Sequence, residues 1–192
     1  MAFLIRPAGE EDAAAIAAIY RPYVEDSPIS FEEKAPEVDE MRRRLLGDRP
    51  GYYPWLVAEE NGGLLGYATS SPFRTRPAYR WTVETGIYLA AEAQGRGIGR
   101  ALLSALVELL ERQGYVAAIG AIALPNGASV ALHEQLGFYH AGTYRQVGFK
   151  KGQWLDVGLW EKELAPRSAT PTEPKPYNSA IPLPPKSART GH

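Results

Sequence analysis

The residues whose types and spacing could do chemistry form one run, Gln94-Gly95-Arg96-Gly97-Ile98-Gly99-Arg100. It follows a stretch that reads as a strand, Val83 to Leu89, and opens one that reads as a long amphipathic helix, Ile98 to Gln113. Glycines at alternate positions let the backbone turn tightly and approach a bulky group. At a helix start, free N–H groups and the helix dipole favour an anion. The run is therefore a phosphate cradle, with Arg96 and Arg100 beside it. A Walker loop requires a lysine after its last glycine, and here Arg100 follows Gly99. A dinucleotide fingerprint requires a third glycine, which is missing from Arg100-Ala101-Leu102.

Strands and helices that alternate must position this loop. Phe3–Arg6 reads as a short strand. Glu10 to about Glu25 reads as an Ala-rich helix with Ile16, Ile19, Tyr20 and Tyr23 on one face. Pro36 suits the first turn of a second helix, Glu37 to about Leu46, closed by Gly47 and Pro50. Trp55–Glu59 and Leu64–Ser70 read as strands joined by a hairpin at Asn61-Gly62-Gly63. Tyr79–Leu89 is a further strand. The helix after the glycine loop turns Ile98, Ala101, Leu102, Ala105, Leu106, Leu109 and Leu110 inward. Tyr115–Ala123 is a strand, and Asn126–Leu136 a helix ended by Gly137. Phe138–Val147 and Gln153–Glu163 form a closing antiparallel pair. The order β-α-α-β-β-β-α-β-α-β-β predicts an α/β (α+β) fold, a mixed sheet flanked by helices.

Composition bounds the function. With 192 residues, 45% hydrophobic and 22% charged, the chain suits one soluble domain with its own core. A net charge of −1 gives no nucleic-acid surface. The absence of cysteine removes disulfides, thiolate metal sites and a cysteine nucleophile. Three histidines, no two at HxxxH spacing, offer little for a metal, so none is expected. The apolar start is too short for a signal peptide and nothing approaches a membrane span, so a cytoplasmic enzyme or binding domain is expected. Residues 166–192 differ from the rest: they hold seven of the 16 prolines, and four basic residues against one acidic. They read as an extended Pro-rich tail beyond a domain of residues 1–165, either a plain appendage or a segment that docks on a partner subunit.

Two separated motifs carry a family resemblance. Gln94-Gly95-Arg96-Gly97-Ile98-Gly99 resembles the pyrophosphate loop of the GNAT acetyltransferases. The run Asn126-Gly127-Ala128-Ser129-Val130-Ala131-Leu132-His133-Glu134-Gln135-Leu136-Gly137-Phe138 is similar to the family's second motif. One helix and one strand fit between them. The segment Arg74 to Glu84, then Ile87-Tyr88, is similar to the phosphinothricin and methionine sulfoximine acetyltransferase branch. So are Tyr53 to Ala58, Gly148-Phe149-Lys150 and Asp156-Val157-Gly158. The resemblance spans roughly residues 3 to 164. Gly86 departs from it, standing where the branch has Ser or Thr beside the substrate.

The resemblance implies a GNAT fold, mostly antiparallel, and direct acetyl transfer from acetyl-CoA to the α-amine of phosphinothricin, methionine sulfoximine or methionine sulfone. Transfer to an amine needs a base, a polarised carbonyl and a proton for the leaving thiolate. Glu84 is the implied base, its pKa raised by partial burial. His133 is the implied proton donor or relay. Gln94, Gly95, Arg96, Gly97, Ile98, Gly99 and Arg100 would hold the CoA pyrophosphate, with Ile87, Tyr88 and Leu89 along the pantetheine arm. The Leu89 N–H would polarise the acetyl carbonyl, which requires the strands Tyr79–Leu89 and Tyr115–Ala123 to splay. Asn126 reads equally as a helix N-cap and as a ligand of that arm. Arg74 and Arg76 suit a carboxylate or phosphinate, with Thr75, Tyr79 and Thr85 lining the same substrate pocket; Phe31, Trp81, Tyr88 and Trp154 are further aromatic candidates. A small amino-acid-like substrate and a homodimer are expected. A protein N-terminus or a polyamine is the alternative acceptor, and a non-catalytic acyl-CoA-binding regulator the alternative class.

Overall fold

The computed structural model describes residues 3–177. Its strands are β1 (Leu4–Pro7), β2 (Trp55–Glu60), β3 (Gly63–Pro72), β4 (Thr82–Leu89), β5 (Ala117–Leu124), β6 (Tyr139–Lys150) and β7 (Gln153–Glu163). Its α-helices are α1 (Ala13–Glu25), α2 (Val38–Leu46), α3 (Ile98–Gln113) and α4 (Gly127–Gln135). This is the element order that periodicity predicts. The strands form one sheet in the order β1-β2-β3-β4-β5-β7-β6, antiparallel except for β4 beside β5.

Alternation along the central strands builds a core on each face of the sheet. Leu56, Ala58, Ala68 and Val83 pack with Leu102, Leu103, Leu106, Leu109 and Leu110 of α3. Val57 and Tyr67 pack on the other face with Ile16, Ile19, Tyr20 and Val24 of α1 and Met41 of α2. The β2–β3 turn places Asn61 at φ 52° and Gly62 at φ 80°. Two successive left-handed residues are what a two-residue hairpin demands, and Asn-Gly supplies them at low cost.

Several boundaries differ from the periodicity by a few residues, and three of them have a visible cause. Helix α2 starts at Val38, past Pro36. Strand β5 starts at Ala117, because the left-handed Gly114 ends α3 and the Tyr115 N–H returns to Leu110 O. Strand β4 starts at Thr82, not Tyr79. Pro77 fixes its own φ and opens a short 3-10 turn closed by Tyr79 N–H to Arg76 O and Arg80 N–H to Pro77 O.

The feature that makes room for a ligand is the parallel pair. Strands β4 and β5 are in register only from Thr82 opposite Ala117 to Thr85 opposite Gly120. Beyond that point β4 runs on to Leu89 and β5 to Leu124 without pairing, so the sheet opens into a wedge. Among the described residues, no helix is long and apolar enough to cross a membrane.

Candidate active site

The wedge holds a cavity of about 570 Å³. Ile87 and Leu89 of β4 and Ile122 of β5 form two of its walls, and Asn126 and His133 a third. Its floor is the glycine loop, through Gln94, Gly95, Gly97, Gly99 and Arg100. Gly95 and Gly97 lie at φ 71° and 78°, a region that L side chains avoid, and a Cβ on either would meet nothing within 4 Å. Gly99 serves packing: a Cβ there would come 3.3 Å from Leu89 Cδ1 and 3.5 Å from Leu132 Cδ2. Gly97 is the N-cap residue of α3 and has no side chain to cap with, so the first N–H groups of the helix remain available to a ligand.

Not every residue of the loop faces the cavity. Arg96 turns away and pairs with Glu60 at 2.9 Å, which ties the loop to the end of β2. Ile98 is buried in the α3 core and contributes only backbone. Asn126 Oδ1 accepts the Ser129 N–H at 3.2 Å, so the N-cap role is realised while the residue still lines the cavity. Thr85 is buried with its hydroxyl donated to Ile119 O at 3.3 Å; it belongs to this cavity and not to the arginine-lined one.

His133 is 3% exposed. Its Nδ1 lies 2.8 Å from Ser129 O, a group that only accepts, so the proton sits on Nδ1. Burial pushes its pKa below the ordinary histidine value. Nε2 is then an unprotonated lone pair, buried with no partner among the described residues. The ring lies against Gly120, the last residue of β5 to pair with β4; a Cβ there would stand 2.6 Å from Nε2. A neutral imidazole whose proton is held by a carbonyl is poorly suited to donate one at neutral pH.

Tyr23 is the functional residue that sequence reasoning missed. Its apolar-face position in α1 reads as core, but its hydroxyl reaches the wedge and bonds both backbone groups of Leu89, donating to O at 2.7 Å and accepting from N at 3.3 Å. Gln94 Nε2 lies 3.5 Å from the same oxygen.

A second cavity, of about 770 Å³, opens on the α1–α2 side of the sheet. Arg74, Thr75, Arg76 and Tyr79 line it together. Tyr88 lines both cavities, so the two meet across its ring. That ring packs edge-on against Tyr20 and Tyr23 and stacks on Tyr67, which fixes it from three sides. Glu84 shares a strand face with Thr82, Gly86 and Tyr88. Thr82 lines the larger cavity, Gly86 the smaller and Tyr88 both; Glu84 lies on their strand face without lining either cavity, close enough to Arg74 and Tyr88 for its charge to act on both. Burial pushes its pKa above the usual glutamate value, and the charge of Arg74 partly opposes this. Gly86 pairs with Thr69, whose Cγ2 would stand 3.2 Å from a Cβ there.

The other aromatic candidates lie elsewhere. Phe31 covers Gly148, Trp154 packs against Phe149 with the rings tilted by 57° at the exposed end of the β6–β7 hairpin, and the Trp81 indole N–H is bound to Thr172 O. Among the described residues, no group of three or more His, Asp or Glu could hold a metal.

A splayed parallel pair, a glycine loop at a helix start and a motif helix beside the wedge define an acyl-CoA-dependent transferase. Residues 5–159 match the acetyltransferase (GNAT) domain family, and the chain belongs to that family as an N-acetyltransferase. It is 40% identical over 176 residues to a phosphinothricin N-acetyltransferase of Streptomyces viridochromogenes, covering 90% of this chain and 91% of that one. It is 36% identical over 170 residues to an L-methionine sulfoximine/L-methionine sulfone acetyltransferase of Salmonella typhimurium, covering 86% and 96%. A GNAT phosphinothricin acetyltransferase from Sinorhizobium meliloti, solved with AcCoA, superposes with a TM-score of 0.84 at 38% identity, over 97% of this chain and 98% of that one.

Proposed function

We propose that the protein acetylates the α-amine of small acidic amino-acid analogues of the phosphinothricin and methionine sulfoximine type. The observation that carries this reading is the meeting at Tyr88 of the Arg74–Arg76 cavity with the wedge, with the half-buried Glu84 on the same strand face as Tyr88. Two guanidinium groups favour a substrate that carries a carboxylate or phosphinate, and they repel a polyamine. The relatives named above act on acceptors of that kind.

The wedge fits acetyl-CoA, which supplies the acetyl group as a thioester. The N–H groups at the start of α3, with Arg100, hold the pyrophosphate, and Asn126 faces the pantetheine arm. At neutral pH an α-amine is mostly protonated and cannot attack. Glu84 takes that proton on a carboxylate oxygen, directly or through one water, and burial raises its basicity for the task. The Leu89 N–H, left without a strand partner by the splay and held by the Tyr23 hydroxyl at 3.3 Å, donates to the carbonyl oxygen as negative charge builds on it once the thioester displaces that hydroxyl. As the new C–N bond forms and the C–S bond breaks, the sulfur needs a proton. Tyr23 carries one at its hydroxyl in the same cavity and supplies it once the entering thioester frees that hydroxyl from Leu89 O, whereas His133, buried with its Nδ1 on Ser129 O, shapes the wall. Transfer is direct, because the chain has no cysteine to carry an acyl group.

The same reading includes a homodimer. Tyr139, Tyr144, Val147, Phe149 and Trp154 are all at least half exposed on the terminal β6–β7 pair, an apolar surface suited to a second copy. Light scattering on the purified chain tests it: a monomer mass at micromolar concentration overturns this part.

The test of the function is release of free thiol from acetyl-CoA with a panel of amines. Turnover of phosphinothricin and methionine sulfoximine well above that of polyamines and peptide N-termini is expected. Clear CoA binding with no thiol release from any amine would instead indicate a regulator.

A further inference from the structure

The walls of the larger cavity come from two segments with little regular structure. One is residues 47–54, between α2 and β2; the other is residues 73–81, between β3 and β4. Within themselves they make only short-range backbone bonds, Tyr52 N–H to Arg49 O in one, Tyr79 N–H to Arg76 O and Arg80 N–H to Pro77 O in the other. Such segments drift unless something outside them fixes their spacing.

The sheet side holds one edge of each, through the Tyr115 hydroxyl to Tyr52 O, Ser70 to Pro54 O and the Val116 N–H to Trp81 O, and the chain after β7 holds the outer edges of both. Residues 172–177 cross behind both segments. On one side the Trp81 indole N–H donates to Thr172 O at 2.9 Å, and Arg80 Nε lies 2.7 and 2.9 Å from the two carboxylate oxygens of Glu173. The Arg80 guanidinium also stacks 3.7 Å above the Trp81 ring and donates to Pro77 O, so Glu173 fixes a pre-formed clip. On the other side the Tyr177 N–H donates to Gly51 O at 2.7 Å, and the Tyr177 carbonyl packs so closely that a Cβ on Gly51 would stand 2.7 Å from it. Gly51 has φ +78°, so its conformation and its neighbour both require glycine.

The span between these anchors is itself pinned. Pro174 is buried against Gly114 at the end of α3. The Lys175 N–H donates to Gln113 O at 2.8 Å. Gln113, 1% exposed, spreads one amide nitrogen over Lys175 O, Gly51 O and Tyr52 O at 2.9, 2.9 and 3.3 Å. One buried side chain thus ties the strap, the 47–54 segment and helix α3 together.

We propose that residues 172–177 are a strap that sets the spacing of the two walls of the acceptor cavity, with Trp81, Gln113 and Glu173 as positioning residues for the acceptor. The proposal rests on the assignment of that cavity to the amine substrate. The strap touches neither the glycine loop nor the lining of the wedge, so acetyl-CoA binding does not depend on it. A misplacement of about 1 Å in such a wall changes turnover roughly tenfold to a hundredfold.

The experiment compares the full chain with the double variant Trp81→Phe, Glu173→Gln, which keeps an aromatic ring under Arg80 and removes one hydrogen bond and one ion pair, and with a chain that ends at Ala165. Amide hydrogen exchange is followed in 47–54 and 73–81, with KM measured separately for acceptor and acetyl-CoA. Faster exchange in 73–81 is expected in the double variant and in both segments in the truncated chain, with acceptor KM raised roughly tenfold and acetyl-CoA KM within about twofold. Unchanged exchange in 73–81 in the double variant, or in either segment of the truncated chain, overturns the strap, as does a parallel rise of both KM values. Arg74→Ala with Arg76→Ala separates the two assignments. Loosened walls with no effect on acceptor KM overturn the positioning role if the arginine variant does raise it. If the arginine variant leaves it unchanged too, the acceptor assignment fails, and the positioning role with it.

Discussion

The Tyr23 hydroxyl stands where a neighbouring strand would be, donating to Leu89 O at 2.7 Å and accepting the Leu89 N–H at 3.3 Å. The splay of β4 from β5 exposes that pair of backbone groups, and a helix on the far side of the sheet completes them.

Tyr23→Phe keeps the edge contact with Tyr88 and removes only the hydroxyl. The lost proton donor is expected to lower kcat by about a hundredfold, the scale of one general acid, with a smaller change in acetyl-CoA KM. Steady-state thiol release measures both. An unchanged kcat would mean that the thiolate leaves without help from this residue.

Burial raises the Glu84 pKa, so the acidic limb of kcat/KM for the acceptor is expected above the usual glutamate value of 4.5. Arg74 lowers that pKa, so Arg74→Ala should move the limb to higher pH. Linkage fixes the sign of the stability effect. A carboxyl whose folded pKa is raised disfavours the folded state increasingly as pH passes its unfolded value, with the full cost above the folded one. Glu84→Gln is therefore expected to melt at a higher temperature at neutral pH while it loses about two to four orders of magnitude in turnover. A pH–rate profile and a thermal melt check the pair of effects. A lower melting temperature in the Gln variant would sink the assignment.

Arg74→Ala with Arg76→Ala should raise KM for phosphinothricin roughly tenfold to a hundredfold, the size of one charge-assisted hydrogen bond. KM for acetyl-CoA should hold. Equal losses for acidic and neutral acceptors would show that the arginines do not read the acidic group.

Gly97→Ala introduces a Cβ into open space, so its effect is conformational alone. Forcing φ 78° on alanine costs about 1–2 kcal/mol, and relief of that strain turns the first N–H groups of α3 away from the cradle. Acetyl-CoA affinity by calorimetry is expected to fall roughly tenfold, with acceptor KM little changed. Unaltered affinity would remove this residue from the cradle.

Much of the fold was legible because burial has a period. The leucines of α3 and the alternation Leu56-Val57-Ala58 mark their elements and faces. Asn61-Gly62 and Gly137 mark turns through the left-handed conformations they permit. Tyr79 was misplaced because an aromatic residue beside a strand reads as strand, while the proline two positions earlier imposes a turn. The cradle was legible for the same local reason: Gly95 and Gly97 carry its geometry in their own φ angles.

By itself the sequence determined the order of elements, the anion cradle and the segments from which a site is built, because each depends on residues near one another in the chain. Only the tertiary structure decided that Arg96 is spent on Glu60, that Thr85 faces the wedge and that His133 turns its Nδ1 to Ser129 O. It also decided that Tyr23 meets Leu89 across 66 positions and that residues 172–177 brace the walls of the larger cavity. Periodicity reports which side of an element is apolar. Which polar atom that side meets, and therefore where a proton or a charge resides, is set by packing between distant segments.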